Sequence, residues 1–138
     1  MTSEYQYLLP NPDEETKEWW EAAKRHELVA QQCIDCQTFR HPPQLTCTNC
    51  YGENCEWVKL SGQGTLYTYI IVHQPVLAAF VDAAPYNVAK ITPEEAPNIH
   101  FTGVVVDVKN DGLKVGMPLE VAFSDVTPEI TIPYWQPR

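Results

Sequence analysis

Basic residues are in short supply: the chain carries nine Lys and Arg against eighteen Asp and Glu, a formal net charge of −9. Binding to nucleic acid at physiological salt is driven by Lys and Arg displacing counterions from phosphates, so this composition argues against such a partner. The deficit is not confined to one half. Residues 61–138 hold Lys90, Lys109, Lys114 and Arg138 against Asp82, Glu94, Glu95, Asp107, Asp111, Glu120, Asp125 and Glu129, which leaves no basic face hidden in the average. Long apolar runs are missing too. The longest, Val76–Ala84, is broken by Asp82 and is far shorter than the ~20 residues of a membrane helix, so no membrane contact is expected. Met1-Thr2-Ser3-Glu4-Tyr5-Gln6 has neither the basic start nor the apolar core of a signal peptide, and a cytoplasmic location is expected. The sequence also lacks a G-x-S-x-G elbow, a phosphate-binding loop and a G-x-G-x-x-G turn. No catalytic residue is nominated.

What is present suffices for folding. With 44% apolar and 20% charged residues in 138, the chain is one domain long and buries roughly two thirds of its unfolded surface. After Asn11-Pro12, Asp13 is a candidate N-cap, Glu14 and Glu15 face the positive end of a helix dipole, and Lys24, Arg25 and His26 face the negative end. The spacing predicts a helix over about 13–25 whose Trp19, Trp20, Ala22 and Ala23 form an apolar stripe wide enough to dock. Leu28-Val29-Ala30 then leads into a cysteine-rich stretch divided by Pro42-Pro43, and Glu56–Leu60 alternates as a strand leaving it. Ser61-Gly62-Gln63-Gly64 marks a boundary. The expected organisation is therefore an arm and helix over 1–26, a ribbon over 27–60 and a third unit over 61–138.

In that third unit β signals fall at 65–73, 86–91, 99–109, 117–123 and 130–134, punctuated by Pro75, Pro93, Pro97, Asn110-Asp111-Gly112 and Pro128. Five short strands suit a small closed barrel, of which the OB-fold is the common five-stranded case. No strand alternates with a helical pattern, which disfavours a parallel α/β sheet. The expected fold is mainly β: one N-terminal helix, a rubredoxin-like zinc ribbon and a five-stranded OB-fold barrel.

Cys33-x2-Cys36 and Cys47-x2-Cys50, ten residues apart, supply two thiolates from each of two tight knuckles, the arrangement that tetrahedral zinc takes. Two disulfides are the alternative, which a reducing compartment disfavours; iron in a rubredoxin-like site is another. With all four positions filled by sulfur no position is open to water, so one structural Zn2+ per chain is expected. Cys55 reads as a bystander thiol, although its spacing also allows it to replace Cys50 as a ligand. It has no neighbouring base in the sequence to make it a nucleophile.

The histidines His26, His41, His73 and His100 are scattered along the chain. His73 ends a strand just before Gln74-Pro75, where a structural role is the commoner one, and Glu94-Glu95 in a Pro-flanked turn reads as solvated charge. More informative is the stretch from Pro75 to Tyr86, which is far more apolar than a solvated connection. Either it folds over the end of its own barrel or it meets a partner or an acyl ligand, which makes His73, Val76, Leu77, Phe80 and Tyr86 candidate contacts together with Trp19 and Trp20. The tail Ile132-Pro133-Tyr134-Trp135 adds Tyr134 and Trp135, expected as exposed aromatics suited to an interface.

The order of these parts resembles a known family: a helix, a four-cysteine ribbon, Glu56-Trp57-Val58-x-Leu60-Ser61-Gly62-x-Gly64-Thr65-Leu66-Tyr67, then Val72-His73-Gln74-Pro75, Pro85-Tyr86-x-Val88-Ala89 and Val115-Gly116-Met117-Pro118-Leu119-x-Val121-x-Phe123. These match the zinc-ribbon plus OB-fold proteins associated with acyl-CoA metabolism, over about residues 15–125. The resemblance implies a non-catalytic accessory subunit that pairs with a thiolase-superfamily enzyme, with acyl-CoA at or near the shared interface and a steroid side-chain aldolase as one specific case. Two departures stand out. Gln37 and Tyr51 occupy positions after each cysteine pair where the family usually has glycine, and the aromatic-Pro-Pro-Arg stretch appears as Phe39-Arg40-His41-Pro42-Pro43-Gln44. The readings outside this class are a single-stranded nucleic-acid module, which the charge opposes, and a free acyl-CoA-binding protein, which an acidic surface disfavours.

Overall fold

The computed structural model describes residue 5 and residues 7–138. Among the described residues one α-helix, α1 (Lys17–Lys24), precedes eight strands: β1 (Val29–Cys33), β2 (Phe39–Arg40), β3 (Cys55–Lys59), β4 (Gln63–Val72), β5 (Tyr86–Pro93), β6 (Phe101–Gly103), β7 (Pro118–Asp125) and β8 (Thr131–Pro137). Regular helix begins later than the expected residue 13. The Asp13 carboxylate accepts the amides of Glu15 and Thr16 at 3.0 and 2.9 Å, while Thr16 Oγ1 accepts the Asp13 amide at 3.0 Å. Asp13 thus caps a lead-in turn. At the other end His26 takes φ 62°, and the amides of His26 and Glu27 reach back to the carbonyls of Ala23 and Ala22, a Schellman closure with histidine where glycine is usual.

The strands fall into two antiparallel sheets, ordered β2-β1-β3 and β6-β5-β4-β7-β8. The second sheet curls until its edges meet. Past β6, Val105 bridges Trp135 of β8 in parallel, with Trp135 donating to the Val104 carbonyl at 3.0 Å and Val106 donating to the Trp135 carbonyl at 2.7 Å. A nearly closed five-stranded barrel results. The expected strand over 99–109 is correspondingly short, because residues 104–106 leave β5 to make this closure. The Asn87 side chain fills the place of the lost ladder, accepting from the Val105 amide at 2.8 Å and donating to its carbonyl at 2.9 Å. Both groups are buried, and an unpaired buried polar group costs about 1–3 kcal/mol.

Alternation sets the core. Asn87, Ala89, Ile91 and Pro93 point inward from β5, joined by Leu66, Phe101, Leu119 and Trp135 from the other strands. Leu28, Ala30 and Leu60 belong to the same cluster, so the base of the ribbon is rooted in the barrel. Ala22 and Ala23 press α1 onto this body. The helix docks on its own chain through its alanines and Trp19.

Candidate metal centre and apolar surfaces

The two knuckles are built alike. In the first, the Gln37 amide donates to the Cys33 carbonyl at 2.9 Å; in the second, Tyr51 donates to Cys47 at 2.9 Å. Gln37 and Tyr51 sit at φ 66° and 64°, the left-handed conformation that glycine takes at little cost and other residues at about 1–2 kcal/mol. The missing glycines are therefore real departures. At Gly52 the backbone makes no such demand, and a Cβ there would meet Oδ2 of Asp35 at 2.5 Å, the end of an exposed side chain that can swing aside.

Together the knuckles bring the sulfurs of Cys33, Cys36, Cys47 and Cys50 within 4.8 Å of one another, with the Cys33–Cys50 and Cys36–Cys47 pairs 3.6 Å apart. A tetrahedron of sulfurs about a zinc at ~2.3 Å has edges of about 3.8 Å. The site fits. Its charges point the same way: Asn49 and then Thr38 hold the Cys36 thiol down to about 5. At Cys50 the Gly52 amide pulls downward but is outweighed by the sulfurs of Cys33 and Cys36, which push it up to about 12. Four thiolates do not share this volume without a cation to offset them. The four cysteines hold one structural Zn2+ in a closed sulfur shell, and its chemistry is cross-linking. Cys55 lies opposite Cys33 across the β1–β3 ladder and outside this cluster.

Arg40, just before the prolines, is buried and donates through Nε to Gln31 Oε1 at 2.9 Å and to the Gln44 carbonyl at 3.1 Å. It ties the inter-knuckle loop to β1. The other histidine contacts give no hydrolytic triad. Asp125 accepts from Thr131 Oγ1 at 2.6 Å and pairs with His26 Nε2 at 2.9 Å, which places the carboxylate, not the imidazole, between the other two.

The aromatic and aliphatic candidates separate into two places. Trp19, Trp20 and Tyr134 line an apolar hollow of about 340 Å³ between α1, Pro42-Pro43, β6 and β8. Trp135 forms part of its wall but is only 1% exposed. The expected exposed aromatic tail is thus corrected at this residue: β8 alternates, and Trp135 is a core side chain. None of the residues from Val76 to Tyr86 lines the hollow. They gather instead at the far end of β4, where Ala78–Ala83 form a 3-10 turn. Val76 is 98% exposed, Leu77 and Val81 are about half exposed, and Phe80 stacks on Tyr7 at 5.0 Å and tilts against Tyr86 at 5.9 Å. His73 lies exposed beside this turn. Tyr7 is a member that sequence reasoning missed, because nothing local to the arm shows where it folds back.

With this geometry in place the chain can be compared with known proteins. Residues 20–56 match the family described as ChsH2, rubredoxin-like zinc ribbon domain, and residues 57–124 match ChsH2, C-terminal OB-fold domain. A chain of a solved structure, the Ltp2-ChsH2(DUF35) aldolase, superposes with a TM-score of 0.83 at 33% identity, covering 94% of this chain and 98% of that one. The chain belongs to the ChsH2-type DUF35 family. A DUF35 domain-containing scaffold protein of Methanocaldococcus jannaschii is 35% identical over 78% of this chain and 74% of its own length. The probable enoyl-CoA hydratase alpha subunit of Thermomonospora curvata is 34% identical over 94% of this chain, which spans 40% of that relative's length. The family junction at residues 56 and 57 falls within β3, the strand that leaves the ribbon for the barrel.

Proposed function

We propose that this chain is a non-catalytic accessory subunit of a thiolase-like acyl-CoA enzyme, holding that partner through the exposed turn around Val76, Leu77 and Phe80. The observation that carries the reading is the near end-to-end likeness, at 33% identity, to a chain of an aldolase assembly. The apolar turn supports it, since a side chain such as Val76, 98% exposed beside Leu77 and Val81, gains from being covered. The specific case is an aldolase that releases a steroid side chain from its CoA thioester by retro-aldol cleavage, with the acyl-CoA near the shared interface and His73 and Tyr86 beside it.

A hydratase subunit is the second reading, favoured by the name of the Thermomonospora relative. Co-expression with a thiolase-like protein and with a hydratase-like protein from the same source separates the two. Stable co-elution with the thiolase-like protein and retro-aldol activity dependent on both chains is the expected result. A chain that elutes alone, or that pairs only with the hydratase-like protein, ends the first reading. Replacing Val76 and Leu77 by glutamate is expected to weaken the assembly at least tenfold while leaving the fold intact, because both side chains face solvent.

A further inference from the structure

The hollow beneath α1 does not stop at its apolar walls. A second hollow, of about 460 Å³, shares Trp19, His41, Pro42, Phe101 and Thr102 with the first and continues past Lys90, Asn98 and His100. The two hollows adjoin across these shared residues, a cleft in two parts with unlike ends. At the junction the His41 ring sits 4.4 Å from that of Phe101 and 5.9 Å from that of Trp19. One end is walled by Trp20, Pro43, Ile132 and Tyr134; the other is lined by the Lys90 ammonium beside Asn98, whose amide donates to the Phe39 carbonyl at 2.8 Å, and His100, whose Nδ1 pairs with Thr92 Oγ1 at 2.9 Å.

Charge distinguishes this cleft from the rest of the surface. The chain has eighteen Asp and Glu, yet not one of them lines either hollow. Lys90 Nζ rests 3.2 Å from Thr102 Oγ1 and, like Lys17, Lys24, Arg40, Lys109 and Lys114, makes no ion pair among the described residues, but it alone of these lines the cleft. Trp19 Nε1 and His41 Nδ1 are buried without a hydrogen-bond partner. An acidic protein has here set aside a carboxylate-free, donor-bearing mouth on an apolar slot.

We propose that this cleft binds an amphipathic monocarboxylate, its hydrocarbon body lying between Trp20, Phe101 and Tyr134 and its carboxylate meeting Lys90 and Thr102. An apolar cavity of a few hundred Å³ with a small number of placed polar groups is the usual form of a small-molecule site. The lysine meets the need of an anion for a partner in a chain that otherwise repels it. Burial, and then the Lys90 charge, hold His41 down to about 4, so its ring is neutral at pH 7 and adds to the apolar junction. The site is separate from the Val76 turn and does not depend on which enzyme the chain accompanies.

Titration calorimetry of the full metal-loaded chain with straight-chain carboxylates from hexanoate to dodecanoate, kept below micelle formation, tests this. Affinity is expected to rise by about fourfold per methylene and then level off when the slot is full. Bromine on the chain is expected to quench part of the tryptophan fluorescence through Trp19 and Trp20. Lys90→Gln, at an exposed strand position, is expected to weaken carboxylates about threefold to fivefold and to leave the alcohols of equal length unchanged. Trp20→Ala is expected to weaken acids and alcohols together. No saturable binding, binding that ignores chain length, or a Lys90→Gln effect that is absent or equal on acids and alcohols overturns the proposal. So does a cleft that a partner segment alone can fill, since the isolated chain then ignores the whole series.

Discussion

Between Cys33 and Cys55 the chain buries little besides Cys33, Cys47, Arg40 and Pro43, whereas the barrel buries Leu66, Ala89, Ile91, Phe101, Leu119 and Trp135 in one contiguous cluster. The knuckles are stretches of turn whose amides are spent on carbonyls and sulfurs, such as Asn49 donating to Cys47 Sγ at 3.3 Å. The barrel is a ladder wrapped on hydrocarbon. One region is held by coordination, the other by the hydrophobic effect. They are joined where Leu28, Ala30 and Leu60 enter the common core, so loss of metal should undo the knuckles and stop at that seam.

Removing the metal tests this most severely. Structural zinc contributes about 10–16 kcal/mol in isolated finger peptides. Treatment with a strong chelator, or Cys47→Ser, is therefore expected to collapse the amide dispersion of residues 33–50 while the resonances of β4–β8 keep their positions. A barrel that melts with the knuckles breaks the distinction. Trp135→Ala attacks the other side. Trp135 is 1% exposed and its backbone closes the barrel through Val104 and Val106, so urea unfolding of the metal-loaded chain is expected to show a loss of about 3–5 kcal/mol.

A smaller change of opposite sign lies in the ribbon. Tyr51 is 78% exposed at φ 64°, and Tyr51→Gly relieves a left-handed cost of about 1–2 kcal/mol while removing almost no packing. Slower zinc release to a chelator is expected, with no change in barrel melting. The smallest effect is at the seam between α1 and β7. The Asp125 carboxyl is held below its ordinary range by the Thr131 hydroxyl and then by His26. A carboxyl depressed in the fold binds protons less well there than in the unfolded chain. Its stabilisation is present above the ordinary carboxylate pKa and is lost as pH falls through the folded value. The melting temperatures of the wild-type chain and Asp125→Asn should differ slightly at neutral pH and converge in acid.

How much of this was legible in the residues follows the same division. Metal ligands sit close in sequence, so Cys-x2-Cys spacing already constrains their geometry, and strands with turn residues between them announce a small barrel. Length was harder to read: residues 104–106 are as branched and apolar as a strand, but they close the barrel against β8 instead of extending β6. The contact candidates were read as one set because each is apolar and near a loop. Their separation depends on the fold, which puts α1 and β8 on one hollow and the turn after β4 elsewhere.

The sequence by itself determined that four thiolates would converge on one ion and that the rest would form strands, since both depend on spacings of a few residues. Tertiary structure alone decided that Trp135 lies inside, and that Tyr7 folds onto Phe80. It also brought Trp19, His41, Lys90 and Tyr134, from four distant segments, to wall two adjoining hollows. Such juxtapositions depend on how the sheet curls and where its edges meet, and no local pattern of residues encodes that closure.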